Sequence, residues 1–417
     1  MTIRTATISN LPKAPRVRDT TRGVQLTVGD ASESGGADLR ARVDNVAAVA
    51  AAHAAAVDGE SRFPRGAIAA ARAERLFGVA VPRELGGDGL GIAEVADICY
   101  ALGRSCASTA MIYAMHQTKV ACLVRHGRGS AWHQLLLRRL CAEQLLLASS
   151  TTEGQAGGDL RNSAAAVDGD TRITLERQAT VISYGEAADG IVTTARRASD
   201  AASSDQVLIA FLKENYTLER LNGWDALGMR GTCSSGFKLV ASGLREQILP
   251  ASYEKIHSHT MMPFAHLAWS SAWAGIAAAA MERARKFVRK AAQRSGGALP
   301  PGAAHLTRAT TRLRTLRGLI AAALQRFETA DATVLESIDF QTGMNLLKVD
   351  ASELAVATVM NAMQTCGLAG YRNDGEFSIG RHLRDILSSP VMISNDRILA
   401  NVAAAAMLSG TPASLRD

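Results

Sequence analysis

Residues 370–385, "GYRNDGEFSIGRHLRD", gather three carboxylates, Asp374, Glu376 and Asp385, among Arg372, Arg381 and Arg384. A carboxylate becomes a general base when burial raises its pKa towards that of the proton it removes. Asp374 lies between Asn373 and Gly375, which is turn composition. Asp385 directly follows Arg384 and reads as half of a structural ion pair. Glu376 differs: it follows a glycine and precedes Phe377, a partly apolar setting. A second stretch, "TTEGQAGGDLR" (151–161), is rich in glycine and threonine. Such a loop exposes backbone N–H groups that can approach ring carbonyls and phosphates closely, although the same composition also makes a plain turn. A third, "QTCGLAG", has the pattern of a helix ending in a glycine cap with Gln364 facing solvent.

The elements that must position these residues follow from periodicity. Residues 38–144 carry helical spacing, with Pro64 at a helix start and a Pro/Gly-rich loop over 77–91. From 145 to 250 short runs rich in Val, Ile and Thr, separated by Gly, Asp and Ser, predict a small antiparallel sheet or barrel. From 251 to 417 helices return, over about 261–294, 305–330, 344–367 and 395–408, the composition of a four-helix bundle. The expected class is α+β: an N-terminal helical domain, a middle antiparallel β domain and a C-terminal four-helix bundle.

Composition narrows the function. The hydrophobic fraction of 47% suits a globular core, and no apolar run reaches membrane-spanning length, so no membrane partner is expected. Six cysteines without a CxxC pair, and nine scattered histidines, form neither a disulfide framework nor a zinc pattern. A net charge of +7 suits anionic small molecules as well as nucleic acid, and no Lys/Arg block stands alone. Residues 1–37 read as a flexible extension containing Arg4, Lys13, Arg16, Arg18 and Arg22. A cytoplasmic location is expected, with the mitochondrial matrix as the alternative that an arginine-rich start allows.

In this order of layers the chain resembles the acyl-CoA dehydrogenase family over roughly residues 40–408. The resemblance is carried by "LFGVAVPRELGGDGLG", "TTEGQAGGDLR", "LGMRGTCSSGFKL", "QTCGLAGY" and "RHLRD", in the family's order. It implies an oxidoreductase that uses FAD to desaturate an acyl thioester on CoA or on a carrier protein. The electron acceptor would be an electron-transfer flavoprotein or oxygen, and the protein a homotetramer or homodimer. Glu376, nine residues before Asp385, would be the base that takes the α-proton, with Asp374 second. Thr152, Gly157 and Ser183 would contact the flavin. Gln364 and Gly367 would approach the adenine and pyrophosphate across a subunit boundary, and Arg294 would touch the neighbouring subunit's FAD. Asn395 stands where the family has a threonine.

Departures from the family pattern bear on the substrate. Two extra residues separate Gly370 from Glu376, Val181 and Gly158 replace a tryptophan and a serine, and Met261 and Met262 precede Pro263 where an arginine is common. Losing that arginine argues against a standard CoA grip and for a carrier-bound thioester or an unusual acyl-CoA. Arg283, Arg285, Arg289, Arg308, Arg312 and Arg314 are candidates for a carrier-docking face, or else an ordinary solvated helix surface. Two alternatives remain: a flavin monooxygenase of the same fold, and a nucleic-acid-binding flavoprotein relative.

Overall fold

The computed structural model describes residues 31–152 and 162–407. Helices come first: α1 (Ala31–Gly59), α2 (Arg65–Ala73), α3 (Ile92–Ser105), α4 (Ala107–His126) and α5 (Ala131–Glu143). α1 therefore begins inside the stretch expected to be an extension. Pro64 caps α2, where its missing N–H has no helical partner to lose.

Two three-stranded sheets follow, β1 (Leu147–Ser150), β3 (Gly190–Arg196) and β4 (Gln206–Leu212) in one, β2 (Arg172–Ile182), β6 (Ser235–Leu244) and β5 (Tyr216–Arg220) in the other. Burial along β2 alternates strictly until its last residues, the signature of a sheet with one wet face. β4, a continuous apolar run in sequence, is buried at every position. Between the named strands the expected antiparallel pairing holds except that β1 runs parallel to β3. Parallel neighbours need a crossover, and β2, pairing in the other sheet, lies on the connection between them.

The remaining chain is helical. A short α6 (Tyr253–Ile256) runs through a π-turn at His257–Met261 into α7 (Met262–Arg294). α8 (Ala303–Thr329), α9 (Ala332–Glu336), α10 (Ile338–Cys366), α11 (Leu368–Tyr371), α12 (Gly380–Ile386) and α13 (Asn395–Ala406) complete the order. α7, α8, α10 and α13 form the bundle, with α10 packed against the other three. α7 also packs along α3 and α4, so it joins the first helical layer to the bundle. Its buried face, including Trp273 and Leu267, is the centre of the main apolar core.

Candidate functional site

The turn before β6 sets the geometry. Met229 and Cys233 take left-handed backbone angles (φ 51° and 46°), which folds residues 224–234 into a tight knot. Gly228 is required there, because a Cβ would lie 2.0 Å from the carbonyl oxygen of Arg384. Asp385 Oδ1 accepts the Met229 N–H at 2.8 Å and pins the knot to α12. A chain of hydroxyls runs through it: Thr232 Oγ1 lies 2.7 Å from Ser234 Oγ, which lies 2.8 Å from Ser183 Oγ.

This knot, α4, α7 and the segment from α12 into α13 surround a cavity of about 820 Å³. The β side contributes Ser149, Thr151, Thr152, Val181 and Ser183. From α4 come Met111, Met115, Thr118 and Lys119, spaced to share one helix face. The π-turn and α7 add Met261, Met262, His266 and Trp269. A π-turn widens the helix by one residue, and here both Met261 and Met262 reach the cavity wall. Among the described lining residues there is no carboxylate.

Two buried cavity residues carry unusual protonation. Lys119 is 4% exposed, its ammonium meets the thioether of Met261 at 3.5 Å, and burial pushes its pKa down to about 8. His266 faces the Met344 carbonyl through Nδ1 at 2.9 Å, so Nδ1 carries the proton and Nε2 is left as an acceptor. Burial lowers the pKa of His266 to about 3, which keeps the ring neutral. Neither residue was singled out from sequence. The signal for Lys119 was its place, four and eight residues after Met115 and Met111, on an otherwise apolar stripe.

A second hollow of about 550 Å³ adjoins the first and shares Leu227 and Arg384 with it. Arg230, Arg283, Arg381 and Arg384 line it, with Asp58 as the acid. Asp58 binds Arg384 through one carboxylate oxygen and accepts Arg230 at its backbone oxygen. Arg283 donates to the Ser378 carbonyl at 3.1 Å, and burial lowers its pKa.

The expected site residues separate into groups. Thr152 and Ser183 lie on the cavity wall. Gly157 and Gly158 lie outside the described residues. Glu376 does not line the cavity: its side chain is 63% exposed and its carboxylate meets Lys290 at 2.7 Å, which holds its pKa below the usual value. Phe377 beside it packs edge-on against Phe287 of α7. Asp374 is paired to Arg372 at 2.7 Å on the surface, which lowers its pKa to about 2. Arg294 is exposed at the end of α7, and its charge acts on Glu376. Gln364 is exposed in the last turn of α10, and Gly367 caps that helix with φ 55°. Asn395 is buried inside the bundle, where it accepts from Lys348 at 2.7 Å and donates to Ser352 at 2.9 Å.

The β side of the cavity fits a flavin. Hydroxyls at Thr152, Ser183 and Ser234 stand along it, and Trp269 lines the same cavity with a buried indole N–H that has no partner among the described residues. A buried donor of that kind needs an acceptor.

Residues 37–143 match the family described as acyl-CoA dehydrogenase, N-terminal domain, and residues 258–408 match acyl-CoA dehydrogenase, C-terminal domain. A cyclohex-1-ene-1-carbonyl-CoA dehydrogenase of Syntrophus aciditrophicus (strain SB) is 24% identical over 341 residues, 80% of each chain. Among solved structures, butyryl-CoA dehydrogenase from Megasphaera elsdenii superposes with TM-score 0.76 at 18% identity, over 93% of this chain and 100% of that one. A dibenzothiophene monooxygenase from Paenibacillus sp. A11-2 gives 0.73 at 16% identity, over 89% and 98%. The prolyl acyl carrier protein oxidase AnaB gives 0.75 at 18%, over 88% and 98%. With helices, sheets and bundle in the expected order and a flavin-sized cavity where they meet, the chain belongs to the acyl-CoA dehydrogenase family of flavoprotein oxidoreductases, with FAD as its cofactor.

Proposed function

We propose that the protein desaturates an acyl thioester at its α,β bond. The observation that supports this is the junction of the two hollows. A long, mostly apolar cavity opens at Leu227 and Arg384 onto a cleft lined by four arginines. An acyl chain suits the first, and the phosphates of CoA or of a phosphopantetheine arm suit the second. A compact aromatic substrate would leave the arginine cleft unused for binding. FAD would be held by Thr152, Ser183 and Trp269 and would accept the hydride leaving the β-carbon, while Glu376, released from Lys290 and turned into the cavity, would take the α-proton. Electrons would then pass to an electron-transfer flavoprotein or to oxygen. The exposed Gln364 and Gly367, beside exposed Leu368 and Tyr371, suit a contact with a second copy, so a homodimer or homotetramer is part of this reading.

A specific observation favours the second reading, a flavin monooxygenase. The described cavity wall has no carboxylate to take an α-proton, and Glu376 is engaged by Lys290 outside it. One experiment separates the two. The purified flavoprotein is mixed anaerobically with saturated acyl thioesters on CoA and on a carrier protein, and the flavin absorbance is followed. Bleaching supports desaturation; a flavin that stays oxidised with every thioester, yet hydroxylates a substrate after chemical reduction and oxygen, supports the monooxygenase. On the desaturation reading Glu376→Gln is expected to lose bleaching, whereas a rate within about threefold of wild type would show that Glu376 stays with Lys290 and is not the base. A loss of a hundredfold or more would show that the carboxylate turns into the cavity during turnover.

A further inference from the structure

Where α7 and α10 meet the π-turn, the cavity wall presents hydrogen-bond acceptors whose own donors are already committed. His266 gives its Nδ1 proton to the Met344 carbonyl, so Nε2 is the ring atom left for the cavity. Asn345 follows Met344 on α10 and lies one turn beyond Gln341, and both line the same cavity. Gln341 Nε2 donates to the Ser258 carbonyl of the π-turn at 2.9 Å and to the Leu335 carbonyl at 2.7 Å. Two carbonyl partners fix the amide orientation, use both of its hydrogens and leave Oε1 as an acceptor. Asn345 Nδ2 donates to the Gln341 carbonyl at 2.9 Å, which leaves Oδ1 and one N–H. No donor among the described residues reaches His266 Nε2, Gln341 Oε1 or Asn345 Oδ1. The charges here are positive: Lys119 lies against Met261 of the π-turn, the Lys348 charge bears on the His266 ring, and no carboxylate lines the described wall. Glu336, next to Leu335, is bound to His259, and His257 on the same wall is tilted against the Tyr253 ring.

We propose that His266, Gln341 and Asn345 form a subsite for a hydroxyl at the end of the acyl group, so that the preferred occupant is a thioester of an ω-hydroxy acid. The inference rests on the thioester reading above and deepens it. A Cβ on Gly231, in the turn beside the arginine cleft, would be 3.0 Å from Ser108 in the first turn of α4. Lys119, about three turns further along α4, meets the π-turn, so the cleft and the subsite lie towards opposite ends of that helix. An alkyl tip would press hydrocarbon against three acceptors and leave them without donors, which is unfavourable. A carboxylate would meet their lone pairs, and an ammonium would meet the potential of Lys348. A hydroxyl satisfies the set, because it donates to one acceptor and can receive the remaining Asn345 N–H. Burial keeps the His266 ring neutral, so Nε2 stays an acceptor at neutral pH.

The test measures hydroxyl-tipped against plain CoA thioesters, 6-hydroxyhexanoyl with hexanoyl and 8-hydroxyoctanoyl with octanoyl, by titration calorimetry on the purified flavoprotein. At one length or both, the hydroxyl probe is expected to bind at least about tenfold more tightly. His266→Phe keeps a flat ring without the acceptor and is expected to lose that preference while still binding the plain probes. His266→Gln can keep the Met344 bond through its amide and present Oε1, so it should preserve the preference. Equal or tighter binding of the plain probe at both lengths would overturn the proposal, and so would an equal effect of His266→Phe on the two tips. A changed flavin spectrum in His266→Phe without ligand would also overturn it, because Nε2 would then serve the cofactor. 1-Hexanol and 1-fluorohexane, which carry no thioester, read the subsite alone through the melting temperature. The alcohol is expected to raise the wild-type Tm more, with that difference gone in His266→Phe; equal shifts in the wild type would count against the subsite. If the alcohol difference appears but no thioester bleaches the flavin, the subsite stands and desaturation fails. If thioesters bleach the flavin and bind equally whatever their tip, desaturation stands and the subsite fails.

Discussion

Asp385 and Glu376 sit nine residues apart and meet opposite environments. Asp385 is buried, and burial raises its pKa to about 6, with the Met229 N–H opposing the shift and nearby Asp58 adding to it. Its folded pKa therefore lies above the unfolded one, so the folded state binds more protons between about pH 4 and pH 6. Stability falls as pH rises through that window, and the ionised carboxylate costs on the order of 3 kcal/mol above it. Asn at this position can still accept the Met229 N–H but carries no charge. Asp385→Asn is expected to gain thermal stability relative to wild type as pH rises from 4 to 7. A difference that stays flat across that range would mean the carboxylate is already compensated. The sequence read Asp385 as half of a structural ion pair among arginines; in the structure it accepts the Met229 N–H, and Arg384 binds Asp58, 326 residues away in sequence. Glu376 is likewise decided from afar, because Lys290 and Phe287 of α7 hold the loop on which it sits. Local composition identifies which acids are unusual but not which way a loop side chain turns.

Among the elements, the crossing of α3 and α7 decides where the cavity wall stands. Trp269, His266 and Met262 reach the cavity from α7, and the helix can approach α3 only through two glycines. A Cβ on Gly275 would lie 2.3 Å from the Tyr100 oxygen, and one on Gly103 would lie 2.3 Å from the Ala272 oxygen. Gly275→Ala must push the helices apart, and overpacking of this kind costs about 1–3 kcal/mol. A lower urea midpoint with an unchanged slope is expected, together with weaker flavin retention as Trp269 moves. An unchanged midpoint would show that α3 yields freely. The long alanine-rich helices were legible from periodicity, and small residues implied close packing. Their partners were not legible, since an alanine stripe fits any smooth helix face. The parallel pairing of β1 with β3 escaped for a related reason: strand propensity reports extended backbone, whereas direction depends on the route the chain takes through β2.

At the scale of the molecule, three separately legible layers make a site that none of them contains. The helix–sheet–helix order could be read along the chain, and the family motifs followed it. The arginine cleft could not, because Arg230, Arg283 and Arg381 come from the knot before β6, from α7 and from α12. In sequence Arg283 was one of six arginines read as a candidate docking face or else an ordinary solvated helix surface; the structure turns it inward, half-buried over Ser378. If the cleft holds the phosphates of the thioester arm, Arg283→Met should weaken binding of a CoA thioester at least tenfold, about 1.4 kcal/mol. The matching N-acetylcysteamine thioester has no phosphate and reaches only the apolar cavity, so its binding should be unchanged. Arg283 also holds the 372–378 loop, and a purely structural role would weaken both ligands together. Added salt sharpens the distinction: it should reduce wild-type affinity for the CoA thioester towards that of the variant, because screening acts on the phosphate contacts and leaves the acyl contacts alone. Equal losses with the two thioesters, at low and high salt, would remove the cleft from the binding site and return the arginines to a role in holding the loop.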